Sequence, residues 1–496
     1  MSKRALALDG VCLLSGMLLV LAFAPFNQNY LVLIAPALLL ACWLNATPKR
    51  ALWRGFLFGL GLFGVGASWV YVSIATYGGT SVLAASAITA LFIVIMACYP
   101  ALTGWVWRRF FRNNTAGVLC AFPALWVVFE WLRGHLIFGG FPWLNLGDAQ
   151  SMGPLSGYLP ILGSYGVSLL AAFCAALLVC LYRLRHTKAW TACFFGLLLL
   201  GAVGIGLSKI QWTHALGQST RVALVQGNIA QSLKWNPRKN ADTVQRYWQL
   251  SQPYSKYHLL FWPETAIPFY PQQIDPYLHD LNLALQKDHS ALLTGIPLYE
   301  NKHAYNGAMV LGNGHGQYLK RDLVPFGEYI PMQQFFGRFF AWLSIPMSQF
   351  HAGPAHQPLP VLRGIPIEVL ICYESAYGDG VRHHLQNGQL IAVLSDDGWF
   401  GRSLGLYQHA QLSQIRALET GRYVINATNN GITEIIDTQG KIVKHLAPFK
   451  AGVLSGSVQR FTGYTPWVWW GICPTVLLVL VLLGIALFYK KYAPDK

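Results

Sequence analysis

Residues 367–375, with the sequence IEVLICYES, predict a buried β-strand that ends at a cysteine. Four of the five residues before Cys372 are apolar and three of those are β-branched, which is typical of a strand inside a sheet. A lone thiol that directly follows such a strand, and precedes Tyr373 and Glu374, is a candidate nucleophile. The alternative is an inert buried thiol.

The distribution of cysteines singles out Cys372. The other eight cysteines lie in long apolar stretches, where a thiol behaves as a small hydrophobic side chain. Cys372 therefore has no disulfide partner within its own region. A Cys/His pair is possible there, and composition does not select among five histidines: His351, His356, His383, His384 and His409. The chain has no CxxC or HExxH motif, and we expect neither a metal nor a cofactor.

The region around Cys372, residues 219–461, alternates short β-branched runs with helical stretches. The predicted strands include 222–225, 258–262, 292–296, 308–311, 368–371 and 390–394. The predicted helices include 241–250, 276–286 and 407–420, and a hairpin is expected around 437–440. This alternation predicts one layered α/β domain.

The rest of the chain is dominated by apolar stretches. Of the 496 residues, 54% are hydrophobic and only 11% are charged, which argues against a single water-soluble domain. Eight stretches approach the roughly 20 residues that a membrane-spanning helix needs. They are 6–24, 30–46, 53–76, 81–106, 116–137, 157–181, 189–208 and 466–489. The sequence thus predicts a transmembrane domain over 1–218 with seven helices, and a final helix and tail over 462–496.

The net charge of +16 would indicate nucleic acid as a partner if the protein were soluble. However, fourteen basic residues cluster in five segments: 3–4, 49–54, 108–112, 183–188 and 490–496. The alternate connections, 25–29, 77–80 and 138–156, contain no Lys or Arg. By the positive-inside rule, both termini are cytoplasmic and residues 219–461 lie on the outer face. We therefore expect a membrane partner and no nucleic acid.

Two further strand ends carry ionisable side chains. Residues 261–265, FWPET, place Glu264 directly after a predicted strand. Residues 318–329, YLKRDLVPFGEY, supply Lys320 and Glu328 among bulky apolar residues. A nucleophilic cysteine needs a base and an oxyanion stabiliser, and these side chains are of the right types.

Taken together, these residues resemble the apolipoprotein N-acyltransferase family of the nitrilase superfamily. The resemblance rests on Glu264 after a Trp-Pro strand end, Lys320 upstream of a Pro-Phe-Gly-Glu turn, and Cys372 before Tyr-Glu. It extends over the apolar stretches and over 323–331, 397–401 and 427–432. The fold that it implies is a multi-pass α-helical membrane domain with a nitrilase-like α-β-β-α sandwich on the extracytoplasmic side.

The resemblance also implies roles for individual residues. Glu264 would be the general base, Cys372 the nucleophile and Lys320 the cation that stabilises the oxyanion. The supporting or substrate-binding residues would be Glu328, Glu374, Tyr373, Trp235 and Trp399. The chain departs from the family at Asp396, where Asn is usual, and at Gly398, which is often Ala.

The function implied by the resemblance is the last step of lipoprotein maturation in the bacterial inner membrane. A phospholipid would donate an acyl chain to Cys372, and the α-amino group of a diacylglyceryl-modified apolipoprotein would accept it. A membrane-tethered amidase or nitrilase is the alternative, because water and an amine compete for the same thioester. A transporter is a remote alternative, since charges within the apolar stretches are few.

Residues 335–343, FFGRFFAWL, are too short to span a bilayer and too aromatic for a solvated loop. We expect a membrane-dipping arm in which Phe339 and Trp342 contact lipid. A buried packing segment is the competing interpretation.

Overall fold

The computed structural model describes residues 2–111, 113–234, 238–256, 259–332 and 349–492. They divide into two compact units. The first holds the chain up to Tyr71, Val82–Ile210 and the residues from Pro466 onward. The second holds Val72–Ser81 and Gln211–Thr465.

The first unit is built from α-helices. Among the described residues, six helices are long and apolar enough to cross a membrane: Lys3–Ala22, Val82–Phe110, Gly117–His135, Ser156–Arg183, Ala189–Leu207 and Cys473–Lys491. In Cys473–Lys491 the apolar side chains of Leu477 and Leu480 are exposed. Exposed leucines on an apolar helix of this length are expected where the helix faces lipid.

Two of the eight predicted spans differ in the structure. The second is a helix of 13 residues, Leu31–Trp43, which is about 20 Å long and shorter than the roughly 30 Å hydrocarbon core. The third is a bent pair, Pro48–Gly66 and Trp69–Tyr77, with an angle of 50°. The bend falls at Gly66 and Ser68, and a π-helix follows at Ser73–Tyr77; both are recognised causes of helix bending.

The second unit contains two β-sheets. Its strands are β1 (His214–Gln226), β2 (Leu259–Trp262), β3 (Ala291–Glu300), β4 (His303–Gly312), β5 (Gly314–His315), β6 (Gln317–Leu319), β7 (Val361–Leu362), β8 (Ile365–Ile371), β9 (Leu390–Ser395), β10 (Val424–Thr428), β11 (Thr433–Ile436), β12 (Ile442–Leu446) and β13 (Gly452–Thr462). The first sheet has the order β13-β1-β2-β3-β4-β6, and the second has the order β12-β11-β10-β9-β8-β7-β5.

The two sheets pack face to face and carry helices on their outer faces. The core between them is wholly buried and includes Phe261 of the first sheet and Ile367 of the second. Helices Asn240–Ser251 and Asp275–Lys287 pack on the first sheet through a separate apolar core. Helices Gly378–His384 and Gly405–Thr420 contact the second sheet. This is the predicted α-β-β-α sandwich, which the structure confirms.

The parallel strands determine where functional side chains collect. β1, β2 and β3 are parallel neighbours, and so are β8, β9 and β10. Since parallel strands end at the same edge of their sheet, the segments after β2, β8 and β9 lie at corresponding edges. Glu264, Cys372 and Asp396 are in these segments.

A buried carboxyl in β11 predicts a pH-dependent stability. Neither carboxyl oxygen of Glu434 has a hydrogen-bond partner among the described residues. Burial, and then the charge of Asp397, raises the pKa of Glu434 from 4.5 to about 8. The unfolded chain therefore releases this proton at a lower pH than the folded chain does. As a result, the carboxyl lowers the free energy of unfolding increasingly as pH rises from 4.5 to 8. We expect Glu434→Gln to increase that free energy by roughly 2–4 kcal/mol at pH 8.5 and by little at pH 5.

The check is the thermal midpoint of the detergent-solubilised protein, followed by tryptophan fluorescence at both pH values. Glu300→Gln, at the half-buried end of β3, is the matched control and should change neither midpoint. An equal increase for Glu434→Gln at pH 5 and pH 8.5 would contradict the electrostatic cause.

Candidate active site

The three residues expected to act together lie directly after strands at the edge of the sandwich. Glu264 follows β2, Lys320 follows β6, and Cys372 follows β8. Lys320 Nζ lies 3.7 Å from Glu264 Oε1 and 2.9 Å from Glu328 Oε2. The Lys320 side chain is 1% exposed, so its ammonium is neutralised by carboxylates rather than by water.

Asn306 fixes the spacing of the two carboxylates around Lys320. Its Nδ2 donates to Glu264 Oε1 at 2.7 Å and to Glu328 Oε1 at 2.8 Å. Its backbone carbonyl accepts from the Lys320 N–H at 2.8 Å. No sequence motif marks Asn306, which lies within the otherwise unremarkable β4, and sequence reasoning missed it.

Glu264 approaches the neighbouring strand closely because that strand has a glycine there. A Cβ added at Gly295 of β3 would lie 2.5 Å from Pro263 O and 2.6 Å from Glu264 Cα. Since real Cβ contacts are longer, any larger residue would displace the Glu264 loop.

The charge of Lys320 persists despite its burial. Burial by itself lowers the pKa of Lys320, but Glu328 and Glu264 outweigh it and raise the pKa above the ordinary lysine value. Lys320 is therefore a cation at neutral pH and can stabilise a developing negative charge.

Cys372 has a strained backbone, with φ of +54°. A left-handed conformation costs a residue with a side chain on the order of 1–2 kcal/mol and persists only where the surroundings enforce it. Glu374 enforces it from one side: its Oε2 accepts from the Ile371 N–H at 2.7 Å. Its Oε1 accepts from Tyr318 Oη at 2.7 Å and from the Arg321 N–H at 2.8 Å. Glu374 thereby links the turn at Cys372 to Tyr318 and Arg321, which lie close to Lys320 in sequence.

His409 holds Cys372 from the other side. Its Nε2 lies 3.0 Å from the Cys372 carbonyl oxygen, and its Nδ1 lies 2.9 Å from Asp397 Oδ1. Burial lowers the pKa of His409, but Asp397 outweighs it and the pKa is raised. A protonated ring can donate to both oxygens at once. Of the five candidate histidines, this one is therefore a support for the cysteine backbone.

The other four histidines make different contacts. His351 packs against His303 at 4.0 Å between ring centroids, and His384 against His356 at 6.0 Å. The ring of His383 contacts Arg382.

The thiol of Cys372 is not ionised at rest. Burial raises the pKa of Cys372 well above the ordinary thiol value, and the charge of Glu264 raises it further, while Lys320 lowers it. A thiol in this state needs a base that removes its proton as it attacks. Glu264 and Lys320 act on the thiol with opposite sign, as a base and an electrostatic stabiliser would.

Of the predicted aromatic residues, Trp399 and Tyr373 lie in the described part of the chain. The exposed Trp399 contacts the ring of Tyr77 at 5.6 Å, and its carbonyl accepts from Ser73 Oγ at 2.8 Å. Tyr373 packs against Tyr377 at 5.2 Å. Trp235, Phe339 and Trp342 lie outside the described residues.

Comparison with known proteins gives two family matches. Residues 15–177 match the apolipoprotein N-acyltransferase N-terminal domain, and residues 221–464 match the carbon-nitrogen hydrolase family. An apolipoprotein N-acyltransferase of Coxiella burnetii is 44% identical, over 95% of this chain and 98% of its own. One of Methylococcus capsulatus is 40% identical, over 99% of this chain and 97% of its own. Among solved structures, a CN-hydrolase superfamily protein of Xanthomonas campestris is 17% identical, covers 49% of this chain and 91% of its own, and has a TM-score of 0.38.

The contact between His409 and the Cys372 backbone predicts an effect on thiol reactivity. In His409→Ala, the strained conformation of Cys372 loses one of its two supports, so the thiol leaves its position beside the base. We expect alkylation of Cys372 by iodoacetamide to slow about tenfold, which corresponds to strain of the order seen at such residues. The rate is measured by mass spectrometry of the peptide that contains Cys372, with the exposed His445→Ala as control. An unchanged rate in folded protein would exclude this support.

Proposed function

The chain belongs to the apolipoprotein N-acyltransferase family, and we propose that it moves an acyl chain from a phospholipid to an apolipoprotein. The acceptor in this proposal is the α-amino group of the N-terminal diacylglyceryl-cysteine. The observation that carries the proposal is the buried cluster in which Lys320 is 3.7 Å from Glu264 and 2.9 Å from Glu328, beside the strained Cys372. The apolar helices and the family identity fit a multi-pass inner-membrane protein, where both lipid substrates reside.

In the first half-reaction, Glu264 accepts the proton of Cys372 Sγ as sulfur attacks an ester carbonyl of the phospholipid. The carbonyl oxygen becomes negative, and the ammonium of Lys320 stabilises it. Such a donor is typically worth about 3–4 kcal/mol. The C–O ester bond then breaks, Glu264 returns its proton to the leaving alkoxide, and a lysophospholipid departs from the thioester.

In the second half-reaction, the α-amino group of the apolipoprotein attacks the thioester. Glu264 accepts a proton from the amine, the C–N amide bond forms, and the C–S bond breaks. The proton returns to Cys372. Two steps through a thioester replace one difficult transfer between lipids.

The remaining site residues support these steps in the proposal. Glu328 keeps Lys320 charged, and Glu374 holds the Cys372 turn against the segment that carries Lys320. Tyr373 and Trp399, together with Trp235, would line the path of the acyl chains, and Phe339 and Trp342 would contact the bilayer.

A trapping experiment tests the thioester. The protein is incubated with a phospholipid that carries a labelled acyl chain, and the peptide containing Cys372 is analysed by mass spectrometry. We expect the mass of one acyl chain on that peptide, no label in Cys372→Ala, and loss of more than about 99% of the acylation rate in Glu264→Gln.

Addition of a diacylated lipopeptide should move the label to the peptide amine. Release of the label only as free fatty acid would instead assign the chain as a hydrolase. Label that survives in Cys372→Ala would overturn the thioester.

We also propose that the catalytic unit faces the periplasm and that both termini are cytoplasmic. The support is the alternation of the basic clusters with connections that lack Lys and Arg.

Accessibility to a membrane-impermeant maleimide tests this orientation in a Cys372→Ala background. Gln286→Cys, on an exposed helix position of the second unit, should be labelled once the outer membrane is permeable. Thr187→Cys, exposed between two apolar helices, should be labelled only after the inner membrane is broken. The reverse order would invert the topology.

A further inference from the structure

Asp396, which directly follows β9, is one half of a buried ion pair. Its Oδ2 accepts from Lys234 Nζ, and the two side chains are 1% and 5% exposed. Asp396 Oδ1 accepts from the Gly398 N–H at 3.3 Å and from Asn429 Nδ2 at 3.2 Å. Both carboxylate oxygens of Asp396 are therefore satisfied within the protein.

The pair holds Glu264 at two points. Lys234 Nζ donates to the backbone carbonyl of Glu264 at 2.8 Å. The backbone N–H of Asp396 donates to Glu264 Oε2 at 3.0 Å, on the oxygen that Asn306 does not contact. Three elements converge here: helix Gln231–Lys234, the loop after β2 and the end of β9.

We propose that Lys234 and Asp396 act as a positioning ion pair for Glu264, with Lys234 fixing its backbone and Asp396 fixing its carboxylate. The inference rests on the proposed function, in which Glu264 is the general base. Because the two charges are opposite, the pair holds Glu264 without adding a net charge beside it.

Among the described residues, other ionisable groups also lie around Glu264. These are Lys320 at 3.7 Å, Glu328 through the shared Asn306, the Cys372 thiol, and His409 with its partner Asp397. None of them is altered by substitutions at Lys234 or Asp396. A change in the pH profile of such variants therefore reports the removed charge.

The experiment records single-turnover acylation of Cys372 by labelled phospholipid between pH 5 and pH 9. Lys234→Met leaves the negative charge of Asp396 beside Glu264, so the acidic limb of the profile should move up by about one pH unit. Asp396→Asn leaves the positive charge of Lys234, and the limb should move down by about one unit. The double variant removes both charges and should return the limb to the parent position. Loss of the Lys234–Glu264 contact should also slow the plateau rate of Lys234→Met about ten- to a hundredfold.

A purely structural pair gives a different result. Loss of such a pair lowers the thermal midpoint of each variant but leaves the acidic limb in place. That outcome, or two shifts of the limb in the same direction, would overturn the proposal. Where Lys234→Met does not fold, Asp396→Asn alone still decides, since only a pair whose charges act on Glu264 predicts a downward shift of the limb.

The pH profile of Cys372 alkylation by iodoacetamide separates this inference from the proposed function. A parent protein that forms no acyl-thioester at any pH refutes the proposed function. Even then, opposite shifts in the alkylation profiles of Lys234→Met and Asp396→Asn, relative to the parent, would support the ion pair. Profiles that do not move would overturn it.

Discussion

The buried ammonium of Lys320 is the constraint on which the catalytic unit depends. Removing a charge of this kind from water costs several kcal/mol, so it must be matched by opposite charge and by hydrogen bonds. Glu328 and Glu264 supply the charge, and Asn306 holds both carboxylates at fixed positions. β2, β4 and β6 of one sheet must therefore be in register before the cluster can form.

The second sheet brings the nucleophile to this cluster, and one carboxylate ties the two together. Glu374 binds the N–H of Ile371 on the cysteine side and the N–H of Arg321 beside Lys320. The position of the thiol is thus defined relative to the ammonium that would stabilise its oxyanion. Burial raises the pKa of Cys372 well above the ordinary thiol value, so the thiol is protonated at rest.

Much of this site was accessible from the sequence because its principal side chains directly follow strands or turns with recognisable patterns. Glu264, Lys320 and Cys372 were predicted in that way, and the strands on either side were placed within a few residues. The roles of Asn306, His409 and Lys234 could not be predicted, because they come from contacts with residues 42, 37 and 162 positions away. His409 was only one of five candidate histidines. Asp396 was singled out in the sequence, but its partner Lys234 was not. Hydropathy likewise located the apolar stretches but could not show the bend after Gly66, which depends on local backbone geometry.

Residues 72–81 belong to the same compact unit as the sandwich, although apolar helices flank them in sequence. Ser73 and Tyr77 contact Trp399, and a Cβ at Gly401 would lie 2.8 Å from Val72 Cγ1. Residues 72–81 are therefore synthesised more than a hundred residues before the rest of the catalytic unit. Since apolar helices flank this segment in sequence, we expect the sandwich to be completed only after those helices have been made. Residues 211–465 expressed alone would lack residues 72–81, and Trp399 would lose its contacts with Ser73 and Tyr77.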